Sequence, residues 1–169
     1  MRTMDSKRKI VDRGEMPNEL LRLRETGKTV VFTNGCFDIL HTGHVDYIEF
    51  ARSQGDVLII GINSDASVRR NKGGNRPIVP QENRARVLAA LESVDYVVVF
   101  DEDEPAQLVE ELLPDVLVKG ADWSHYVSGR EAVEKNGGKV ILADLTEGQS
   151  TTGIIETIEA NCRADNPKG

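Results

Sequence analysis

Five short runs along the chain are apolar almost without interruption: TVVFT (29–33), DVLIIGIN (56–63), VDYVVVF (94–100), DVLVKG (115–120) and KVILA (139–143). A strand with one wet face alternates apolar and polar residues. These runs do not alternate, which predicts burial on both faces, hence a parallel sheet covered by helices on either side. Helical spacing fills the gaps between them. It predicts helices over 17–26, with Pro17 near the start and Gly27 just past the end, and over 44–55, closing on Gly55. Further helices are predicted over 81–93, 104–114, 129–138 and 150–162. NKGGNRPIVP (71–80) breaks all periodicity and reads as a loop. The pattern predicts a doubly wound α/β/α sandwich around five parallel strands, as one domain over 17–162. Residues 1–16 read as a flexible leader and 163–169 as a flexible tail. In such a sheet the ligand sits outside the carboxyl ends of the strands, where strand order reverses.

Composition narrows the ligand. The chain has 169 residues, 39% hydrophobic and 29% charged, which fits an ordinary globular domain rather than a disordered or membrane-spanning one. No apolar run nears the roughly 20 residues of a bilayer span, and the first 16 residues lack the apolar core of a secretory signal. Cys36 and Cys162 lie in no metal-ligand spacing, so reduced thiols in a cytoplasmic protein are expected. With 28 acidic and 21 basic residues, a net charge of −7, the chain has no global field for nucleic acid. An anionic ligand must be held by a few local positive groups.

The densest candidate chemistry is FTNGCFDILHTGH (32–44), which sets two of the three histidines, His41 and His44, around Gly43 where a helix begins. At about 100° per residue, Tyr47, Ile48 and Ala51 form an apolar stripe, and His44 projects from its centre. A polar ring there needs a partner. A backbone carbonyl would serve; so would an anion drawn to the free N–H groups and positive end of the helix. Gly43 lets backbone and ligand approach closely, and His41 can point at the same spot. Asn34 and Gly35 read either as a plain turn or as a loop of amides facing a phosphate.

Three other stretches compete with plainer explanations. NKGGNRP (71–77) is either a solvated loop or a mobile basic flap, with Lys72 closing on phosphates as a point charge and Arg76 beside it. Arg84 falls in the middle of the stripe of Val87, Leu88 and Leu91, where a guanidinium needs a buried carboxylate or a phosphate; the phosphate is the expectation taken. In TEGQSTTGII (146–155), Ser150 is an N-cap, while Gly148, Ser150, Thr151 and Thr152 together suit a second phosphate site. Lys119, Asp122 and Trp123, ending the fourth strand, are placed to meet a base and ribose, with packing as the alternative for Trp123. DEDEP (101–105) reads as a solvent-facing acidic cluster at a helix start, not a metal site.

NGCFDILHTGH resembles the HxGH signature of the nucleotidyltransferases related to class I aminoacyl-tRNA synthetases. In order, FTNGCFDILHTGHVDYIEFARSQGDVLIIGINSD, RPIVPQENR, LVKGADW and EGQSTTGII are similar to the adenylyltransferase domain of bifunctional ADP-heptose synthases, over about residues 17–160. Glycerol-3-phosphate cytidylyltransferases share the same motifs, so ATP against CTP stays open, with NSDAS, RPIVP and LVKG favouring the heptose enzymes. SHYVSGR (124–130) departs from that pattern. The resemblance implies a Rossmann-like fold and transfer of AMP from ATP to heptose 1-phosphate, giving ADP-heptose and pyrophosphate, with Mg²⁺ accompanying the nucleotide. It implies catalytic roles for His41, His44 and Lys72. Nucleotide or phosphate contacts are expected from Thr33, Asn34, Gly35, Phe37, Asp38, Gly43, Asn63, Asp65, Arg76, Arg84, Lys119, Asp122, Trp123, Gly148, Ser150, Thr151 and Thr152. A sugar-kinase domain precedes this one in the bifunctional enzymes. The expectation is therefore either a stand-alone transferase served by a separate kinase or an excised domain, with the leader favouring the first. Relatives suggest a homodimer. A nucleotide-binding module without chemistry is the remaining alternative, against which the intact His41, His44 and Lys72 count.

Overall fold

The computed structural model describes residues 5–144, 146 and 148–165. Five parallel strands form one sheet: β1 (Val30–Gly35), β2 (Val57–Asn63), β3 (Tyr96–Phe100), β4 (Val116–Gly120) and β5 (Lys139–Ala143), in the order β3-β2-β1-β4-β5. Among the described residues seven α-helices accompany them: α1 (Met16–Glu25), α2 (Thr42–Arg52), α3 (Asp65–Lys72), α4 (Gln81–Ala90), α5 (Ala106–Leu112), α6 (Arg130–Lys135) and α7 (Thr151–Asp165). Strand order reverses at β1, which pairs with β2 on one side and β4 on the other. This is the doubly wound, Rossmann-like arrangement. None of the described helices is long and apolar enough to cross a membrane.

The runs of β1, β2 and β4 are buried on both faces, as the pattern requires, whereas β5 at the sheet edge is only partly buried, with Leu142 exposed. Val31, Leu58, Ile60 and Ile62 face the layer holding Ile48 and Ala51 of α2 and Leu88 of α4. Val30, Phe32 and Ile59 face the opposite layer, with Leu20 of α1, Leu108 of α5 and Val133 of α6. Aspartates beside the strand starts help fix register: Thr29 N–H donates to Asp56 Oδ2 (2.8 Å), Leu58 N–H to Asp95 Oδ2 (2.8 Å) and Val30 N–H to Asp115 Oδ2 (2.7 Å). Gly129, at φ 88°, starts α6 where a Cβ would come within 2.6 Å of Val109, so both the backbone and the close packing require glycine.

The structure corrects three expectations. Residues 65–72 form a helix that periodicity did not reveal, because the segment is almost entirely polar. Its start is set by Ser64, whose Oγ accepts from Ser67 N–H at 3.1 Å. Lys72 is therefore the last residue of a helix, and the loop shrinks to 73–80. Residues 5–15, expected as a flexible leader, lie against the domain. Lys9 Nζ donates to the Leu91 and Val94 carbonyls (3.0 and 2.6 Å), Ile10 bridges to Val97, and Arg13 pairs with Glu102 and Glu111. Its basic residues find carbonyls and carboxylates distant in sequence, which local pattern does not show. Of the expected tail, residues 163–165 continue α7, while 166–169, like residues 1–4 of the leader, lie outside the described residues.

Candidate active site

At the carboxyl edge, where β1 and β4 part, two adjoining hollows of about 500 and 390 Å³ open. They share Asn34, Gly35, Phe37, His44, Lys72, Lys119, Trp123 and Thr151. The smaller adds His41, Gly43, Asp122 and Ser150. The larger adds Asp38, Asn63, Arg76 and Thr152. Sixteen of the expected site residues thus gather at one place, the edge that the topology rule indicates.

The strand-to-helix turn after β1 places the histidines. β1 runs two residues past its expected end, so Asn34 and Gly35 leave the sheet at its edge. Phe37 turns the chain through φ 46° and buries its ring, 5.2 Å from the His44 ring. His41 is the N-cap of α2 but gives the helix no side-chain cap, so first-turn N–H groups remain for an anion. The His41 and His44 rings stack with centroids 3.9 Å apart and planes 25° apart. Their Nδ1 atoms are buried and find no partner among the described residues. Across the hollow lies the N-terminus of α7. A Cβ on Gly43 would come within 3.1 Å of both the His41 ring and Gln149 Cβ, so glycine here lets the two helix starts converge. Ser150 caps α7, its Oγ accepting from Gly153 N–H at 3.0 Å, which leaves the Thr151 and Thr152 amides without helical acceptors. Thr151 Oγ1 also donates to the Ile39 carbonyl (3.3 Å), tying the two turns together.

Electrostatics at the histidines follow from this crowding. Burial pushes His44 down to about 4, with the neighbouring His41 adding to the effect; burial also lowers His41. Both rings are therefore neutral near pH 7 in the free protein. Since His44 lies below its ordinary 6.5, the unfolded chain binds more protons in that window, and the free protein loses stability as pH falls from 6.5 through about 4. A bound polyanion reverses the bias by favouring the charged ring. Nucleotide binding at about pH 5–6 is thus expected to take up protons. Calorimetry in buffers of different ionisation enthalpy measures this, and uptake should largely vanish in His44→Asn.

Other groups frame the site. Lys119 Nζ is buried, donates to Asn34 Oδ1 at 2.7 Å and lies 5.5 Å from the Trp123 ring centre. Burial lowers its pKa to about 8, against the pull of Asp122, Glu104 and Cys36. Asp38 fastens the 73–80 loop. Its carboxylate accepts from Arg76 Nε (2.6 Å) and from the N–H groups of Ile78 (2.9 Å) and Val79 (2.8 Å). Burial works to raise the Asp38 pKa, but these donors outweigh it and hold the carboxyl below its usual range. The expected mobile flap is thus clipped at Arg76 to Val79, while Lys72 stands exposed over both hollows.

Four expected contacts lie elsewhere. Arg84 is wholly buried and turned to protein partners: Nε donates to the Val79 carbonyl (2.9 Å), one terminal nitrogen to the Cys36 carbonyl (2.6 Å) and the other to Asp65 Oδ1 (2.7 Å). This corrects the phosphate expectation for Arg84 and also for Asp65, which is its counter-ion. Thr33 is buried, with Oγ1 2.6 Å from Tyr47 Oη and 3.0 Å from the Val118 carbonyl, so it braces β1 against α2 and β4 rather than facing a ligand. Gly148 lines neither hollow; at φ 73° it serves the turn before α7.

Spacing missed other residues that line the larger hollow: Cys36, Asn71, Asp103, Glu104, Pro105, Tyr126 and Ser128. Asp103 and Glu104, expected to face solvent, border it because they follow β3 at the carboxyl edge. That position was the available signal. His125, in the SHYVSGR stretch, has its ring near-parallel to that of Trp123, with centroids 6.5 Å apart.

Two helix starts, one carrying imidazoles whose buried Nδ1 atoms lack a partner among the described residues, thus meet on the carboxyl edge of a doubly wound sheet, an arrangement suited to holding a polyanion. The cytidylyltransferase-like family matches residues 32–157, and the chain belongs to it. The bifunctional protein HldE of Syntrophotalea carbinolica is 58% identical over 136 residues, 80% of this chain and 28% of the relative. That of Geobacter sulfurreducens is 61% identical over 133 residues, 78% of this chain and 27% of the relative. The chain therefore spans under a third of the length of these relatives. A solved structure described as a lipopolysaccharide core biosynthesis protein from Thermoplasma volcanium superposes with a TM-score of 0.59 at 28% identity, covering 73% of this chain and all of that one.

Proposed function

We propose that the protein transfers AMP from ATP to a sugar 1-phosphate of the heptose type, releasing pyrophosphate. The observation that carries this reading is the convergence of the uncapped α2 start, the stacked His41 and His44 and the α7 start around Gly43. The high identity to the bifunctional HldE proteins supports the heptose class.

A sugar phosphate is already an anion at neutral pH, so its oxygen needs no general base. It attacks the α-phosphorus in line, the bond from that phosphorus to the β-phosphate oxygen breaks, and pyrophosphate carries away the electron pair. The protein's task is to hold two polyanions together and stabilise the charge that develops. His41 and His44 donate to the α-phosphoryl and bridging oxygens, and the Thr151 and Thr152 amides hold the β and γ groups. Lys72 closes over the chain of phosphates, and Trp123 with Asp122 borders the nucleoside. Mg²⁺, bound together with the nucleotide, would neutralise phosphate charge. Among the described residues no three His, Cys, Asp or Glu side chains gather to cage it, so the nucleotide's own oxygens would supply most of its ligands. In this reading a sugar kinase makes the acceptor, and two copies pair as a dimer.

The family's cytidylyltransferase-like character favours one rival, transfer of CMP from CTP to glycerol 3-phosphate. A pyrophosphate-release screen of ATP and CTP against heptose 1-phosphate, other sugar 1-phosphates and glycerol 3-phosphate separates them. ATP with a sugar 1-phosphate should exceed CTP with glycerol 3-phosphate by about a hundredfold or more in kcat/KM, the discrimination a few buried polar contacts supply. Nucleotide binding without pyrophosphate from any pair would instead mark a binding module.

A further inference from the structure

The larger hollow adds residues of different chemistry to the cradle. Its lining joins the basic Lys72 and Arg76 to Asp103, Glu104, Tyr126 and Ser128. Glu104 Oε2 accepts from the Tyr126 hydroxyl at 2.9 Å, leaving its other oxygen available. Asp103 Oδ1 is engaged by Arg70 Nε at 2.6 Å. Ser128 is only 6% exposed, and its buried hydroxyl has no hydrogen-bond partner among the described residues. An unpaired buried hydroxyl on a cavity wall is costly unless a ligand completes it.

This mixture of charge discriminates between the two halves of an acceptor. A phosphate beside Glu104 would meet its carboxylate and be repelled. Neutral hydroxyls would not, because a carboxylate accepts from them and Ser128 can donate or accept. Tyr126, half exposed at 50%, offers an aromatic face for the C–H side of a sugar ring.

We propose that this part of the hollow is the acceptor subsite, with Glu104 and Ser128 reading the hydroxyls of a polyol body whose phosphate is held by Lys72 and Arg76. The assignment rests on the transferase reading and adds to it the means of orienting the acceptor: phosphate toward the nucleotide, hydroxyls away.

The test uses the full chain, with pyrophosphate release measured against whichever phosphate acceptor the wild type uses, and ATP binding measured separately by calorimetry. Glu104→Gln and Ser128→Ala should each raise the acceptor KM tenfold or more, with ATP affinity and ATP KM within twofold of wild type. Tyr126→Phe, which removes the hydroxyl that holds the Glu104 carboxylate in place, should raise the acceptor KM about threefold. An acceptor KM within twofold of wild type in Glu104→Gln overturns the subsite, as does an equal rise in the ATP and acceptor KM values. If Ser128→Ala does not fold, the exposed Glu104→Gln decides alone. If the wild type uses glycerol 3-phosphate and no sugar 1-phosphate, the sugar reading fails. The subsite is then judged by the KM of the same variants for glycerol 3-phosphate, and stands or falls by the same limits.

Discussion

Replacing His44 by alanine is expected to lower kcat by about a hundredfold or more, the scale of losing one transition-state donor from a pre-organised site. The ring is aimed at the hollow and its buried Nδ1 has no protein partner, so its removal orphans no other polar group. The loss should fall on kcat more than on the KM for ATP, because the donor is used most when charge builds on the α-phosphoryl group. The melting temperature should change much less than in the Arg84 variant. Steady-state kinetics beside a thermal melt check both halves, and native-like turnover would remove His44 from the mechanism.

Arg84→Ala should show the opposite balance. The side chain is fully shielded and joins the Val79 carbonyl, the Cys36 carbonyl and Asp65. Truncation leaves two carbonyls unpaired and a carboxylate without its counter-ion. Breaking a buried pair in this way costs about 3–5 kcal/mol. For a chain of this size that lowers the melting temperature by about 10 °C. Kinetics on the folded fraction at low temperature should show an ATP KM within about threefold of wild type, since a residue that meets no ligand contributes little binding energy of its own. A stable variant with a KM raised a hundredfold would return Arg84 to the phosphate site.

The two residues illustrate what local pattern carries and what it does not. Helical spacing correctly turned both His44 and Arg84 inward, but it is silent on what lies opposite. His44 faces a hollow because α2 starts at the sheet's carboxyl edge, and Arg84 faces Asp65 because an unforeseen helix, α3, brings that carboxylate over. The five strands were legible because their apolar runs are unbroken, as burial on both faces demands of the inner strands, although β5 at the edge is only partly buried. α3 was not, since its core contribution is almost confined to Val68 and the small Ser67. The docking of residues 5–15 depends on Lys9 and Arg13 reaching groups more than eighty residues away. Most of the cradle was legible through the motif around Gly43 and the rule placing ligands at the carboxyl edge. Applied evenly, the same rule would have drawn Asp103 and Glu104 into the site, where a dense run of acids suggested only solvent.

Everything functional here depends on nucleotide phosphates lying between the two helix starts and being attacked at the α position. The most direct test follows the label from [α-³²P]ATP in the presence of a sugar 1-phosphate, in wild type and His44→Asn. The label should move onto a nucleoside diphosphate sugar in step with pyrophosphate release, and the transfer should collapse in the variant. Label that stays in ATP, or moves equally well without the His44 imidazole, would contradict the account.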